Sequence, residues 1–153
     1  MKGRILCIVM LGLWVATVAA AGWMFLNGWT APGSDGRTAI VLAPAERDQI
    51  LAEMRQFLKA IQGVVSGMSD QNPAQVQEAA RRVGLRMEAD VDPALILKLP
   101  LAFKQMGMSI HRDMDTLADG IQAGASAGQI LGQMAGIMSR CTTCHDLYRF
   151  SGQ

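Results

Sequence analysis

Five consecutive residues near the C-terminus, Cys141-Thr142-Thr143-Cys144-His145, combine two thiols and an imidazole at a spacing that can do chemistry. This C-x-x-C-H pattern is the attachment signature of haem c. Two thiols three positions apart on a helical turn can reach the two vinyl groups on one edge of a porphyrin, and the adjacent histidine can ligate the iron. The motif therefore predicts one covalently attached haem c, with Cys141 and Cys144 as attachment points and His145 as an axial iron ligand.

Three other interpretations of these residues are weaker. A zinc site needs a fourth ligand, and His111 is the only other histidine in the chain. A thioredoxin-like dithiol opens a helix between strands, whereas this motif closes a long helical stretch. An iron–sulfur cluster usually needs four cysteines, but beyond the motif the chain has only Cys7, which lies in an apolar run. Haem attachment is the favoured interpretation.

The residues before the motif must position it, and their apolar spacing predicts helices. A first helix begins near Pro44, a favourable first-turn residue, and runs to about residue 67. It carries apolar residues at spacings of three and four, namely Ile50, Leu51, Met54, Leu58, Ile61 and Val65. A second helix begins after Asn72, a plausible cap, and continues to about residue 88.

The second half of the chain has the same helical spacing. Residues 89–99 predict an irregular connection with a short helical turn, and a third helix follows over 100–121. A fourth helix over 127–150 ends with the C-x-x-C-H motif. No segment has the pattern of a strand ladder. The sequence thus predicts an all-α fold, an antiparallel four-helix bundle over 44–153 whose core can house a cofactor.

His111 lies on the predicted third helix beside Arg112 and Asp113. These charged neighbours predict an exposed or boundary position for the imidazole. We therefore expect His111 to have a structural or surface role, not to ligate the iron.

The N-terminal region, residues 1–29, predicts a membrane anchor. Lys2 and Arg4 precede an uncharged run that is long enough to span a bilayer, since a spanning helix needs roughly 20 apolar residues. The basic flank predicts that the rest of the chain lies outside the cytoplasm. A signal peptide cleaved after the small residues at 19–21 is the rival interpretation, although apolar residues continue to Leu26. Residues 30–43, rich in Gly and Pro, predict a linker.

The composition limits the classes of partner. A formal net charge of +1 and the lack of a basic run give no sign of nucleic-acid binding. The 11 methionines suit flexible packing in a core or against a planar apolar group.

The motif continues through Tyr148 and Arg149 as C-x-x-C-H-x-x-Y-R, at the end of the last predicted helix. In this it resembles the class II c-type cytochromes, namely cytochrome c prime and its methionine-ligated low-spin relatives. The resemblance covers residues 44–150. It implies that His145 is the axial ligand and that Tyr148 and Arg149 pack near the haem edge. Arg149 then pairs with a propionate or meets a partner protein, unless it is a solvated terminal charge.

The resemblance also implies that the first helix covers the distal face of the haem. Met54 and Leu58, four residues apart on one helical face, are the candidates. A Met54 ligand gives a six-coordinate iron suited to electron transfer, whereas Leu58 leaves a five-coordinate iron that binds NO or CO. Relatives often have an arginine one turn before the distal residue, where this chain has Met54.

The expected function is that of a membrane-anchored monohaem cytochrome on the periplasmic side of the inner membrane. It would carry single electrons to membrane-bound redox proteins or be a subunit of a redox complex, and relatives often form homodimers. The alternative function is binding of NO or CO. Catalysis is not expected, because peroxide chemistry usually uses a distal His or Arg, and the first helix offers Arg47 and Arg55 but no histidine.

Overall fold

The computed structural model describes residues 2–152, without the side chains of residues 88–90 and 152. The fold is mostly helical. Its helices are α1 (Lys2–Asn27), α2 (Pro44–Ser69), α3 (Pro73–Arg81), α4 (Pro93–Lys98), α5 (Leu101–Gln122) and α6 (Ala127–Leu147). A 3₁₀ turn spans Leu85–Asp90, and the strands are β1 (Thr30–Pro32), β2 (Thr38–Leu42) and β3 (Tyr148–Gly152).

The helices begin where their capping residues predict. The Glu46 side chain accepts a hydrogen bond from the Ala43 N–H (2.9 Å) at the start of α2. Asn72 accepts one from the Gln75 N–H (3.2 Å) at the start of α3. At the start of α6, Ser126 and Gln129 form a capping box. These bonds satisfy amide groups that have no partner within the helix, so they fix where each helix starts.

The second helix was expected to reach about residue 88, and that expectation is wrong. Helix α3 ends at Arg81, and a 3₁₀ turn follows. Gly84 lies against α5 so closely that a Cβ would be 2.2 Å from an Asp115 carboxylate oxygen. The same carboxylate accepts a hydrogen bond from the Leu85 N–H at 2.9 Å. This tertiary contact turns the chain away from the helix path.

The core has two hydrophobic clusters. The first, here called the helical cluster, takes residues from α2, α3, α5 and α6, including Val64, Val76, Met114, Leu117 and Ile130. The second, the sheet cluster, consists of Ile40, Leu42, Ile50, Leu95, Leu99 and Phe103. Met54, in the first half of α2, packs against the sheet cluster, and so do Cys144 in the last turn of α6 and Tyr148 at the start of β3. Helices α2 and α6 run in opposite directions, because Met54 and Cys144 lie against the sheet cluster, whereas Val64, later in α2, and Ile130, early in α6, lie in the helical cluster.

A three-stranded sheet, in the order β1-β2-β3, corrects two expectations. Strands were not expected, yet the supposed linker at 30–43 contains the β1–β2 hairpin. Strand β2 pairs in parallel with β3, which aligns Thr38 with Tyr148 and Ile40 with Phe150. The last helix therefore ends at Leu147 and not at residue 150. Burial of Ile40 and Leu42 favours this arrangement, because the sheet cluster, with residues from α2, α4 and α5 and with Phe150 of β3 packed against it, removes their apolar area from water.

Helix α1 is exposed along its length, up to its last turn. It is long and apolar enough to cross a membrane, a property that signal sequences share. Its C-terminal end contacts the rest of the protein. The Trp29 N–H donates to the Lys98 carbonyl (2.7 Å), and the Lys104 ammonium donates to the Phe25 carbonyl (2.9 Å).

Replacing Phe103 with alanine tests how the sheet is held on the helices. The Phe103 ring is buried and makes edge contacts with Tyr148 and Phe150, at centroid distances of 5.5 and 5.9 Å. We expect Phe103→Ala to lower the free energy of unfolding by about 3 kcal/mol, through lost burial and the cavity left behind. Chemical denaturation would measure it. Leu97→Ala, at a side chain 46% exposed, is the control, and an equal loss in both variants would contradict the packing described.

Candidate functional site

The C-x-x-C-H motif forms the last turns of α6. At about 100° of rotation per residue, Cys141, Cys144 and His145 share one side of the helix. The Cys141 Sγ also donates a weak hydrogen bond to the Ile137 carbonyl, at 3.7 Å, one turn earlier. Ile137 is part of the helical cluster, so Cys141 continues the buried side of α6. The three side chains named by the sequence are therefore brought together by local helix geometry.

The motif lies where the two hydrophobic clusters meet. Cys141 packs against the helical cluster and Cys144 against the sheet cluster, and both are partly buried. His145 is exposed. The structure thus holds two thiols against apolar surfaces and leaves an imidazole open beside them.

Burial controls the acidity of both thiols. Desolvation raises the pKa of Cys141, and it raises the pKa of Cys144 from 9.0 to about 11, with a smaller contribution from the neighbouring Cys141. Both cysteines are free of disulfides. A redox-active dithiol instead needs a lowered thiol pKa, because the thiolate is the reactive form. The environment of this pair therefore weighs against dithiol–disulfide exchange.

A zinc site lacks ligands in the part of the chain that the structure describes. No group of three or more His, Cys, Asp or Glu side chains that could hold a metal ion occurs there. His111, the only nitrogen donor outside the motif, is 3% exposed. Its Nδ1 lies 2.8 Å from the Val83 carbonyl, and its ring centroid lies 4.7 Å from that of Phe57. The expected exposed or boundary position was thus wrong, because these partners hold the imidazole in the core.

Tyr148 and Arg149 open β3, directly after the motif. The Tyr148 ring packs against Phe103. The Arg149 guanidinium donates to the Ser34 hydroxyl (3.1 Å) and to the Asp35 carboxylate (3.5 Å), both in the turn between β1 and β2. The Arg149 side chain is thus paired, although 35% of it is exposed. It ties the end of the chain to the hairpin.

The two distal candidates on α2 lie in different places. Met54 is partly buried and packs against the sheet cluster, as Cys144 and Tyr148 do. Leu58 has 67% of its side chain exposed. The structure therefore brings Met54 into the same cluster as part of the motif, and it leaves Leu58 on the surface.

Arg37 and Asp35 contribute to the site, although no local sequence pattern predicted this. The Arg37 guanidinium donates to the His145 carbonyl (3.1 Å) and to the Tyr148 carbonyl (3.4 Å), so it caps the end of α6. It also donates two hydrogen bonds to Asp35. Arg37 is 108 positions away from His145 along the chain, a separation that no local pattern bridges.

An exposed apolar line on α6 leads to the motif. Leu131 and Met138 are 52% and 46% exposed, and His145 follows at the same seven-residue spacing. Seven residues are nearly two turns, so the three side chains lie on one side of the helix. Two exposed apolar side chains thus precede His145 along its side of the helix.

Asp35 predicts an acid-sensitive hairpin. Hydrogen bonds from Arg37 lower the pKa of this carboxyl from 3.8 to about 2. A carboxyl whose pKa is lowered in the folded state stabilises the fold at pH values above its pKa in the unfolded chain. This stabilisation is lost as pH falls from about 4 towards 2. We expect the β1–β2 hairpin to loosen over that range, detected by amide hydrogen exchange at Ile40. In the Asp35→Asn variant, protection of the Ile40 amide should change less between pH 4 and pH 2 than in the wild type. The same pH dependence in both proteins would contradict the role given to the Asp35 carboxylate.

Comparison of the chain with protein-family models, with curated protein sequences and with solved structures found no match.

Proposed function

We propose that this protein is a membrane-anchored monohaem c-type cytochrome of the class II kind, which passes single electrons on the periplasmic side of the inner membrane. One observation carries the proposal. The last helix presents two unpaired, partly buried thiols and an exposed imidazole on one side, in the C-x-x-C-H arrangement. In this interpretation α2, α3, α5 and α6 form the antiparallel four-helix bundle that holds the cofactor.

The donor groups fit haem c. Cys141 and Cys144 are a helical turn apart and are in no disulfide, so both thiols are available to form thioethers. The exposed His145 ring is accessible to ligate an iron, and Met138, two turns earlier on the same side of α6, is an exposed apolar side chain. Haem c, when bound, supplies a one-electron iron couple, and the axial ligands tune its potential.

The chain's own residues would fix the orientation of the motif. Arg37 holds the carbonyls of His145 and Tyr148, and Phe103 packs on the Tyr148 ring. A preorganised ligand set of this kind needs little rearrangement when an electron moves. Arg37 and Arg149 also bring two guanidinium groups beside the motif, where they could meet the acidic propionates.

Met54 is the proposed sixth ligand. It packs against the cluster that Cys144 joins, whereas Leu58 is exposed. A thioether ligand saturates the iron and raises its potential, which favours electron transfer over gas binding. Helix α1 supports the membrane location, because its apolar run ends at Trp23 and Trp29, residues typical of a bilayer interface.

The absorption spectrum of the reduced protein, with and without CO, tests this function. We expect sharp α and β bands that CO does not shift, because Met54 fills the sixth position. A high-spin spectrum that CO shifts would contradict electron transfer through a six-coordinate iron and would favour binding of NO or CO.

A further inference from the structure

We propose that α1 is fixed on the domain and that the end of the domain carrying Cys141–His145 faces the bilayer. Trp29, Lys98 and Lys104 then form a surface that lies against the lipid headgroups. This inference rests on the proposed membrane location of α1, but it does not depend on haem. It differs from the linker expected over residues 30–43, which would leave the orientation of the domain free.

The joint between α1 and the domain is a close backbone contact at Gly28. Gly28 has a φ of +63°, a left-handed conformation that favours glycine. A Cβ at this position would lie 2.5 Å from both the Lys98 carbonyl oxygen and the Pro100 nitrogen. The next residue, Trp29, donates its N–H to the same Lys98 carbonyl at 2.7 Å. The chain therefore leaves α1 in contact with the end of α4, without a free linker.

Side chains reinforce this joint. The Lys104 ammonium donates to the Phe25 carbonyl in the last turns of α1 and lies 4.1 Å from the Phe25 ring centroid. The Lys98 ammonium lies 5.4 Å from the Trp29 ring centroid and pairs with Glu46 at 2.6 Å. Two points of contact, at α4 and at the first turn of α5, restrict the angle at which α1 meets the domain.

The topology brings the motif to the same end of the domain. Helix α5 begins at this joint and leads away from it, and α6 returns, so the last turn of α6 lies near the first turn of α5. Consecutive residues of α5 show the proximity, since Lys104 bonds to Phe25 of α1 while Phe103 contacts Tyr148. The sheet gives a second measure. One row across the three strands contains Thr30, Ile40 and Phe150. At the usual strand spacing, Phe150 is therefore about 10 Å from Thr30, where β1 begins.

The chemistry of this end suits a lipid surface. Trp23 and Trp29 are 70% and 52% exposed at the end of the apolar run. Indole rings and lysines at the end of a membrane span are typical of the headgroup region. A domain held in this way presents the motif at the level of the headgroups. Its redox partner would then be a centre near the surface of the same membrane.

Probe depth in the full-length protein in bilayers tests the orientation. Ala102 and Gln122, exposed residues at the two ends of α5, are each replaced with cysteine in a Cys7→Ala background and given the same fluorophore. The two ends are about 30 Å apart, from the rise of 1.5 Å per residue. We expect lipids with a spin-labelled headgroup to quench the Ala102 probe several-fold more than the Gln122 probe. Equal quenching would overturn the proposal.

Two glycine variants test the fixed joint. Gly36 also has a positive φ (+82°), but a Cβ there would meet nothing within 4 Å. Gly28→Ala and Gly36→Ala therefore impose similar backbone strain, and only the first collides with Lys98 and Pro100. We expect Gly28→Ala to abolish the quenching difference and Gly36→Ala to preserve it. The same response in both variants would overturn the proposal of a fixed joint. If Gly28→Ala fails to fold, the two probes in the protein with Gly28 intact still decide the orientation.

The proposed function and this inference fail in different ways. If the protein carries no haem, the absorption spectrum shows it directly. Cys141→Ser and Cys144→Ser then remove the two free thiols, and the probe measurement still decides how the domain faces the bilayer.

Discussion

Replacing Cys141 and Cys144 together with serine is expected to abolish covalent haem, so that denatured protein gives no haem-stained band. The serine hydroxyl has nearly the same size as the thiol but cannot form the thioether that fixes the macrocycle. The measurement is haem staining of a denaturing gel, after maturation with the attachment machinery. The expected loss is complete, because the only other cysteine of the sequence is Cys7, which lies in the apolar run of α1.

Cys7→Ser is the matched control for this prediction. Cys7 is exposed on α1, in the apolar run and far along the chain from the motif. We expect this variant to keep the full haem stain. A stained band in the double variant, or loss of stain in Cys7→Ser, would contradict the assignment of the attachment site.

Replacing Met54 with alanine is expected to open the sixth coordination position. The reduced protein should change from a low-spin to a high-spin spectrum and should gain a CO-dependent shift, since no thioether then competes for the iron. A lowered reduction potential is expected as well, because methionine ligation favours the reduced iron. The measurement is a redox titration followed by a CO difference spectrum.

Leu58→Ala separates a ligand effect from a general loss of packing on α2. Leu58 is one turn from Met54 but is 67% exposed, so its truncation should change the unfolding free energy by less than about 0.5 kcal/mol. We expect the spectrum of Leu58→Ala to match the wild type. If Leu58→Ala opened the iron and Met54→Ala did not, the distal residue proposed here would be wrong.

The helices were predictable because their signals are local. Asn72 caps α3, Ser126 caps α6, and Pro44 begins α2, so each start follows from residues within one turn. The same kind of local spacing predicted that Cys141 and His145 lie in the last helix. A mostly helical fold is therefore confirmed.

The sheet could not be predicted, because its stability comes from contacts that are distant in sequence. β2 contains only five residues, and it pairs with β3 at the other end of the chain. The segment that contains Gly33 and Gly36 was predicted to be a linker, but these glycines lie in the turn between β1 and β2. For the same reason, the hydrogen bond from the Arg37 guanidinium to the end of α6 was not predicted.

The burial of His111 shows a further limit of sequence patterns. Its charged neighbours, Arg112 and Asp113, predicted exposure, but adjacent helical positions point in directions about 100° apart. The polar imidazole can be buried in the core because the Val83 carbonyl lies within hydrogen-bond distance of its Nδ1, at 2.8 Å. A buried polar group of this kind is recognised only from its partner.

Mass spectrometry of the C-terminal peptide, from protein matured with its attachment machinery, tests the central claim most directly. The account predicts that the peptide containing Cys141, Cys144 and His145 carries the mass of one haem, joined through both cysteines. The same peptide with two unmodified thiols, or with a disulfide between them, would contradict the account.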